Sequence, residues 1–246
     1  MSEKKVLVIH GGNSSIGKKL IDIEQQNKIT ALIIKEKLNF TPNDNDKFIY
    51  EADATNPEQI QNAIKLIIED HHKIDEYVHL IGSITIKSLH NTSLDEWQKV
   101  MDLNLNSVYF ALRNILPIMQ KQKKGNIVLI SSVAAQVGLM NHEAISAAKG
   151  AVESLTRSLS ISYANSGIRV NCVAPSLTNT KMAKHLVQND LAVKSTISFN
   201  AIKRIGEPED IANTISFLLD DKSSFITGQV ISVDGGLTHI RTPPKI

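Results

Sequence analysis

The 246-residue chain has one cysteine, Cys172, and only 4% aromatic residues. A single cysteine excludes an intramolecular disulfide and a metal site built from several cysteines, and it is typical of a reducing compartment. Because 42% of the residues are nevertheless hydrophobic, we expect a core made mainly of aliphatic side chains. We expect no metal site.

The chain also lacks an excess of either charge and any long apolar segment. With 27 basic and 25 acidic residues its net charge is +2, which favours neither nucleic acid nor an anionic membrane as a partner. The apolar run Val6–Ile9 near the N-terminus is too short for a signal peptide or a membrane span. We therefore expect a cytoplasmic protein that binds no nucleic acid and no membrane.

Short apolar runs alternate with longer segments of helical period, the pattern of a parallel sheet covered by helices. It predicts an α/β fold: a doubly wound, Rossmann-type parallel sheet of about seven strands with helices on both faces, in a single domain over residues 1–246. The predicted strands are Val6–His10, Ile29–Ile34, Phe48–Glu51, Tyr77–Ile81, Asn126–Ser131, Ile168–Ala174 and Gln229–Val233. Between the second and third, residues 35–47 leave too little room for a crossover helix.

Two helices carry clear start signals. Asn56 followed by Pro57 predicts one N-terminus, and Ser93 with Glu96 forms a capping-box pattern before another. A third, Ala- and Ser-rich helix is predicted after Asn141 and should end at Gly167.

A strip of small residues follows that third helix at four-residue spacing: Gly150, Ser154 and Ser158. Small side chains allow a second helix to approach closely. We interpret the strip as a subunit interface.

A glycine-containing loop, Gly11–Gly17, joins the first strand to a helix. Backbone N–H groups and the positive end of the helix dipole can hold a pyrophosphate at such a junction. Later segments add order-specific motifs: Asp53-Ala54, His79-Leu80-Ile81-Gly82, Asp102–Leu105, Asn126–Ser132, Arg204–Ile211 and Thr227–Gly236.

From residue 5 to residue 238 these motifs resemble the short-chain dehydrogenase/reductase family. Two of these segments depart from its pattern: the loop with the preceding His10 at two positions, and His79–Gly82 at three. His10 stands in place of a Thr, Ser15 in place of the middle glycine of the loop, and only Gly82 remains of an Asn-Asn-Ala-Gly motif. If the loop required a positive φ at Ser15, the serine would cost about 1–2 kcal/mol and would reshape the pyrophosphate cradle.

The resemblance implies a nicotinamide cofactor and the residues that hold it. They are Gly11, Asn13, Ser14, Ser15, Ile16 and Gly17 in the loop, Lys35 after the second strand, Asp53, Ala54 and Gly82, then Lys149, Pro175 and Thr180. A basic residue at the Lys35 position favours the 2′-phosphate of NADP(H), whereas the neighbouring Glu36 keeps NAD(H) possible.

The resemblance also implies an active site with Asn104, Ser132 and Lys149, in which Ser132 polarises the substrate oxygen. The family's proton-donating tyrosine would fall at Ile145, which cannot donate a proton. His142, three residues earlier on the same helix face, is a candidate substitute acid, and a relay water is another.

Three functions remain open. The first is NAD(P)(H)-dependent interconversion of a carbonyl and an alcohol on a small molecule. The second is a pseudoenzyme that binds nucleotide or serves as an oligomerisation or binding subunit. The third is reduction of a conjugated double bond. The resemblance implies a homo-oligomer, commonly a tetramer, formed through the helices near 103–120 and 142–164. We further expect a substrate lid at about 181–203 and a C-terminal tail at 239–246.

Overall fold

One parallel sheet organises the protein. The computed structural model describes residues 4–24, 28–35 and 47–240, and the fold is stated for these residues. Its seven strands are β1 (Lys5–His10), β2 (Lys28–Ile34), β3 (Lys47–Glu51), β4 (Glu76–His79), β5 (Gly125–Ile130), β6 (Ile168–Pro175) and β7 (Val230–Val233). They lie in the order β3-β2-β1-β4-β5-β6-β7. The sequence predicted each of them to within two residues.

Helices cover both faces of the sheet. They are α1 (Ser15–Glu24), α2 (Pro57–His71), α3 (Leu94–Met101), α4 (Ser107–Gln122), α5 (Glu143–Ser162), α6 (Lys184–Val187), α7 (Asp190–Phe199) and α8 (Pro208–Leu219). One apolar core lies between the sheet and α2, α4 and α5. A second lies between the sheet and α1 and α8. The predicted doubly wound fold in a single domain is confirmed.

The strand order reverses between β1 and β4, which pair in parallel with His10 opposite His79. In open α/β sheets, ligands bind outside the carboxyl ends of the strands at such a switch point. The candidate site is therefore expected where β1 and β4 end.

The predicted helix starts at Asn56 and Ser93 are confirmed. The Asn56 side chain accepts hydrogen bonds from Glu58 N and Gln59 N, and Ser93 and Glu96 form the reciprocal capping box. Each cap satisfies amides that the first turn of a helix leaves without an intrahelical partner.

The predicted end of the third helix is wrong. The helix α5 ends at Ser162, and a separate 3₁₀ turn, Ala164–Ser166, comes before Gly167. Gly167 has φ +68° and ends that turn instead. Likewise β4 ends at His79 rather than Ile81, although Leu80 N still donates to His10 O.

Two predictions fall outside the described residues, in whole or in part: the helix-free connection at 36–46 and the tail residues 241–246. Among the described helices, none has the length and apolar character needed to cross a membrane.

Cys172 is buried in β6, and its burial raises the pKa of its thiol to about 12.

Candidate cofactor-binding and active site

The phosphate loop turns directly from β1 into α1. Ser14 caps the helix, because Gly17 N donates to Ser14 Oγ at 3.0 Å. A Cβ atom on Gly17 would lie 2.6 Å from Gly12 O, so only glycine allows this close approach. The amides of Ser15 and Ile16 begin the helix and have no earlier carbonyl within it to bond, which makes them donors for an anion.

Ser15 is the first residue of α1 and has no positive φ. The strain considered for this position is therefore absent. Its hydroxyl accepts a hydrogen bond from the backbone N–H of Lys181 at 3.1 Å. This bond joins the loop to a segment 166 residues later and brings the neighbouring Thr180 towards the loop.

The predicted ribose-side residue Lys35 is 68% exposed at its side chain and pairs with Asp53 Oδ2 at 2.8 Å. Together with hydrogen bonds from Thr55, this pairing lowers the pKa of the Asp53 carboxyl to about 2. Ala54 beside it is buried. Lys35 and Asp53, predicted separately, thus lie in contact at the ends of neighbouring strands.

Gly82, Asn104 and Lys149 converge on one point. A Cβ atom on Gly82 would lie 2.9 Å from Asn104 Oδ1 and 3.2 Å from Lys149 Nζ. Three sequence segments therefore meet at the carboxyl end of β4, and glycine leaves the space there open.

Asn104 lies in a π-helical turn, Asp102–Asn106, between α3 and α4. Its Oδ1 accepts from Ser83 N at 3.0 Å, and its Nδ2 donates to Ser83 Oγ at 2.9 Å and to Val100 O at 3.0 Å. The sequence analysis did not identify Ser83 as a site residue. Its position directly after Gly82 could have indicated that it contacts the site.

Lys149 is 5% exposed and its Nζ donates to Ile130 O at 2.9 Å. Burial lowers the pKa of this ammonium group to about 8. A lysine with that pKa can both hold a hydroxyl group and exchange a proton near neutral pH.

Two serines follow β5 and have different partners. Ser131 Oγ bonds Lys149 O and Glu153 Oε1, which ties α5 to the sheet. Ser132 is partly exposed, and its Oγ accepts from Ala134 N at 3.2 Å. The predicted catalytic serine therefore keeps its hydroxyl proton available for another acceptor.

Ile145 is 4% exposed and packs in an apolar cluster with Val100, Ala134 and Ala148. His142 is the residue before α5, and its Nδ1 lies 2.7 Å from Met140 O. Since a carbonyl can only accept, the Nδ1–H of His142 donates to this loop oxygen. The remaining predicted residues are Pro175 at the end of β6 and Thr180, whose Oγ1 accepts from Ala183 N.

The sequence missed one buried cluster beneath this site. The side chains of His10, Tyr77, His79 and Ser107 are all fully or almost fully buried and joined by hydrogen bonds. Desolvation lowers the pKa of His10 to about 3 and that of His79 well below its usual value. Both histidines are therefore neutral.

Residues 21–238 match a family model described as enoyl-(acyl carrier protein) reductase. The chain is 31% identical over 245 residues to the 3-oxoacyl-[acyl-carrier-protein] reductase FabG of Buchnera aphidicola, covering 95% of this chain and 97% of that one. It is 32% identical over 243 residues to FabG of Thermotoga maritima, covering 96% and 98%. The chain belongs to the short-chain dehydrogenase/reductase family.

Solved structures agree with this assignment. The structure of ElxO with NADP bound has a TM-score of 0.89 at 28% identity, covering 96% of this chain and 99% of that one. The aldohexose dehydrogenase of Thermoplasma acidophilum has a TM-score of 0.87 at 28% identity, covering 98% of both chains. Membership extends over nearly the whole chain, and the FabG reductases and the aldohexose dehydrogenase are oxidoreductases by name.

Proposed function

We propose that this protein is an NADP(H)-dependent oxidoreductase that reduces the carbonyl group of a small molecule, with a 3-oxoacyl thioester as the first substrate to test. The observation that carries the proposal is the convergence of Asn104 and Lys149 on Gly82 at the carboxyl end of β4. The FabG relatives supply the substrate class, and the NADP-bound ElxO structure supports the cofactor.

The residues present fit a dinucleotide. The loop before α1 offers the amides of Ser15 and Ile16 to a pyrophosphate, Lys35 offers a cation to a 2′-phosphate, and Lys149 offers N–H donors to a ribose. When bound, the nicotinamide supplies the hydride.

The chain's own residues would orient the substrate and handle the proton. Ser132 Oγ would donate to the substrate oxygen and hold it as negative charge develops. Asn104 and Lys149 would hold a water molecule beside it. The proton would come from that relay water or from His142, whose ring would first have to leave the Met140 carbonyl.

Reduction of a conjugated double bond is a second candidate, supported by the family description as an enoyl reductase. It also fits the loss of a proton donor at Ile145, because a different position on the substrate would need the proton. The carbonyl proposal is preferred since the curated relatives given above are 3-oxoacyl reductases.

One assay separates these functions. The purified protein is mixed with NADPH and either acetoacetyl-CoA or crotonyl-CoA, and NADPH consumption is followed by absorbance. Carbonyl reduction predicts turnover with acetoacetyl-CoA, and turnover with crotonyl-CoA alone would contradict it. NADPH binding, measured by nicotinamide fluorescence, without turnover on either thioester would contradict both reductase functions and favour a cofactor-binding subunit. No binding of NADPH or NADH would overturn the proposal altogether.

A further inference from the structure

Four buried polar side chains form a continuous hydrogen-bond chain at the point where the strand order reverses. His10 Nδ1 lies 3.2 Å from Tyr77 Oη, Tyr77 Oη lies 2.7 Å from His79 Nδ1, and His79 Nε2 lies 3.0 Å from Ser107 Oγ. Ser107 Oγ then donates to Leu103 O at 2.7 Å. The chain therefore links the end of β1 to the start of α4.

The directions of the hydrogen bonds in this series of side chains follow from the Ser107 contact and from the neutral state of His79. Ser107 has one hydroxyl proton and gives it to Leu103 O, so it must accept from His79 Nε2–H. His79 is neutral, which leaves its Nδ1 as an acceptor for the Tyr77 hydroxyl. Tyr77 has no second proton and so accepts from His10 Nδ1–H.

The two ends of the chain lie beside proposed functional residues. His10 directly precedes Gly11 of the phosphate loop. At the other end, Leu103 belongs to the π-helical turn and precedes Asn104. A π-helical turn carries one residue more than the α-helical hydrogen-bond pattern accommodates, and such turns are frequent at functional sites.

We propose that His10, Tyr77, His79 and Ser107 are positioning residues that hold the π-helical turn so that Asn104 faces Gly82 and Lys149. The expected effect on kcat rests on the proposed carbonyl-reductase function. The expected effect on the position of Asn104 does not. Burying four polar side chains in a core is costly unless they are satisfied. Both histidines also stand where the family pattern has smaller residues, Thr and Asn, so these hydrogen bonds are not part of that pattern.

The hydrogen-bond chain has one end, at His10, where a ring nitrogen has no partner among the described residues. His10 Nε2 is buried, carries no proton in this arrangement, and has no hydrogen-bond partner among the described residues. It is an acceptor, so the group that satisfies it must be a donor. A single buried water fits this requirement, provided it finds further polar partners.

The first test uses nitrogen-15 NMR on the intact protein. We expect His79 as the Nε2–H tautomer and His10 as the Nδ1–H tautomer, both neutral from pH 6 to pH 8. We also expect Tyr77→Phe to shift the side-chain amide signal of Asn104. Opposite tautomers, or an Asn104 signal that does not move in Tyr77→Phe, would overturn the proposal whether or not the protein turns over any substrate.

The second test measures coupling to Asn104. Tyr77→Phe is expected to lower kcat about tenfold through misplacement of Asn104, with the Kd for NADPH unchanged. In the Asn104→Ala background the same change should have no further effect. Independent, multiplying losses would mean that Tyr77 is structural only.

Three further variants control the experiment. Tyr50→Phe removes another tyrosine hydroxyl, which donates to Asp70 Oδ2 at 2.7 Å and takes no part in the hydrogen bonds between His10 and Ser107. This variant should leave kcat unchanged. If Tyr77→Phe does not fold, Ser107→Ala cuts the chain at its other end and Ser107→Thr restores a hydroxyl. Loss in Ser107→Ala with recovery in Ser107→Thr supports the proposal, whereas equal loss in both contradicts it.

Discussion

Ile145 is the residue on which the proton step of the proposed reaction depends. Its side chain offers no titratable group and fills an apolar cluster between α3 and α5. Lys149, one turn later on α5, remains buried with its Nζ bonded to Ile130 O. The chain thus keeps the group that would lower the pKa of a phenol but has no phenol at Ile145.

We predict that Ile145→Tyr raises kcat for acetoacetyl-CoA reduction by about 10², the size of a typical general-acid contribution. The measurement is steady-state NADPH consumption. Ile145→Phe is the matched control, because it adds the same ring without the hydroxyl and should not raise kcat. An equal gain in both variants would assign the effect to packing rather than to proton donation.

Lys149 should also make stability depend on pH. Its pKa is about 8 in the folded protein against an ordinary value of 10.5, so between these values the unfolded chain binds more protons. The free energy of unfolding should therefore rise with pH through this window, by about 2–3 kcal/mol relative to Lys149→Met. Urea unfolding of both proteins at pH 7.5 and pH 10 measures this. Parallel changes in the two proteins would show that Lys149 keeps its ordinary pKa when folded.

Lys35 should select the cofactor. Its ammonium group pairs with Asp53 but is exposed enough to turn towards a 2′-phosphate. We expect Lys35→Glu to weaken NADPH binding about tenfold or more by replacing attraction with repulsion, and to change NADH binding less. Fluorescence titration with both nucleotides gives the ratio. The control Lys19→Glu makes the same charge change on α1, at a lysine that pairs with Glu209, and should leave the ratio unchanged.

The bond between Ser15 Oγ and Lys181 N joins the start of the helix α1 to the start of the predicted lid. We predict that Ser15→Gly, which restores the family's residue, loosens the segment around Lys181 and Lys184. Trypsin should then cleave there faster, with undiminished stability of the sheet. Ser15→Thr keeps the hydroxyl and should be cleaved like the native protein. Equal cleavage of Ser15→Gly and the native protein would mean that the bond does not hold the lid.

The elements themselves were largely predictable from the sequence. Strands buried on both faces appear as continuous apolar runs, so β1, β2 and β5 could be located without a structure. The end of α5 could not, because a 3₁₀ turn separates Ser162 from Gly167 and both segments have similar composition. The π-helical turn was missed as well, since five residues do not alter the hydrophobic period enough to be recognised.

The site was predictable only where the motif pattern is local. The phosphate loop is one short segment, and a fixed spacing along the sequence relates Ser132 to Ile145 and Lys149. Other parts of the site depend on strand register and helix packing between distant segments. They are the contact between Lys35 and Asp53 and the hydrogen-bond chain through His10, Tyr77 and Ser107. His10 and Tyr77 are 67 residues apart, and nothing in the sequence specifies that their side chains meet.

The predicted homo-oligomer depends on the exposed face of α5. Ser154 and Ser158 are exposed there, and a Cβ atom on Gly150 would meet no atom of the described residues within 4 Å. Close approach of a second helix needs such small residues, and a closed two-fold contact would place the strip of one subunit against that of its partner. The same openness means that a large residue at Gly150 can be accommodated in a single chain.

We therefore predict that the native protein is an oligomer by light scattering and that Gly150→Arg dissociates it without unfolding the protein. Replacing Gly within a helix raises helix propensity, so the midpoint of urea unfolding measured at low protein concentration should not fall. The molar mass from light scattering should drop by half or more. Ser195→Arg, a change of similar size on α7, is the control and should keep the native mass. An unchanged mass for Gly150→Arg would remove the strip from the interface, because no side chain of that length can remain between two closely packed helices.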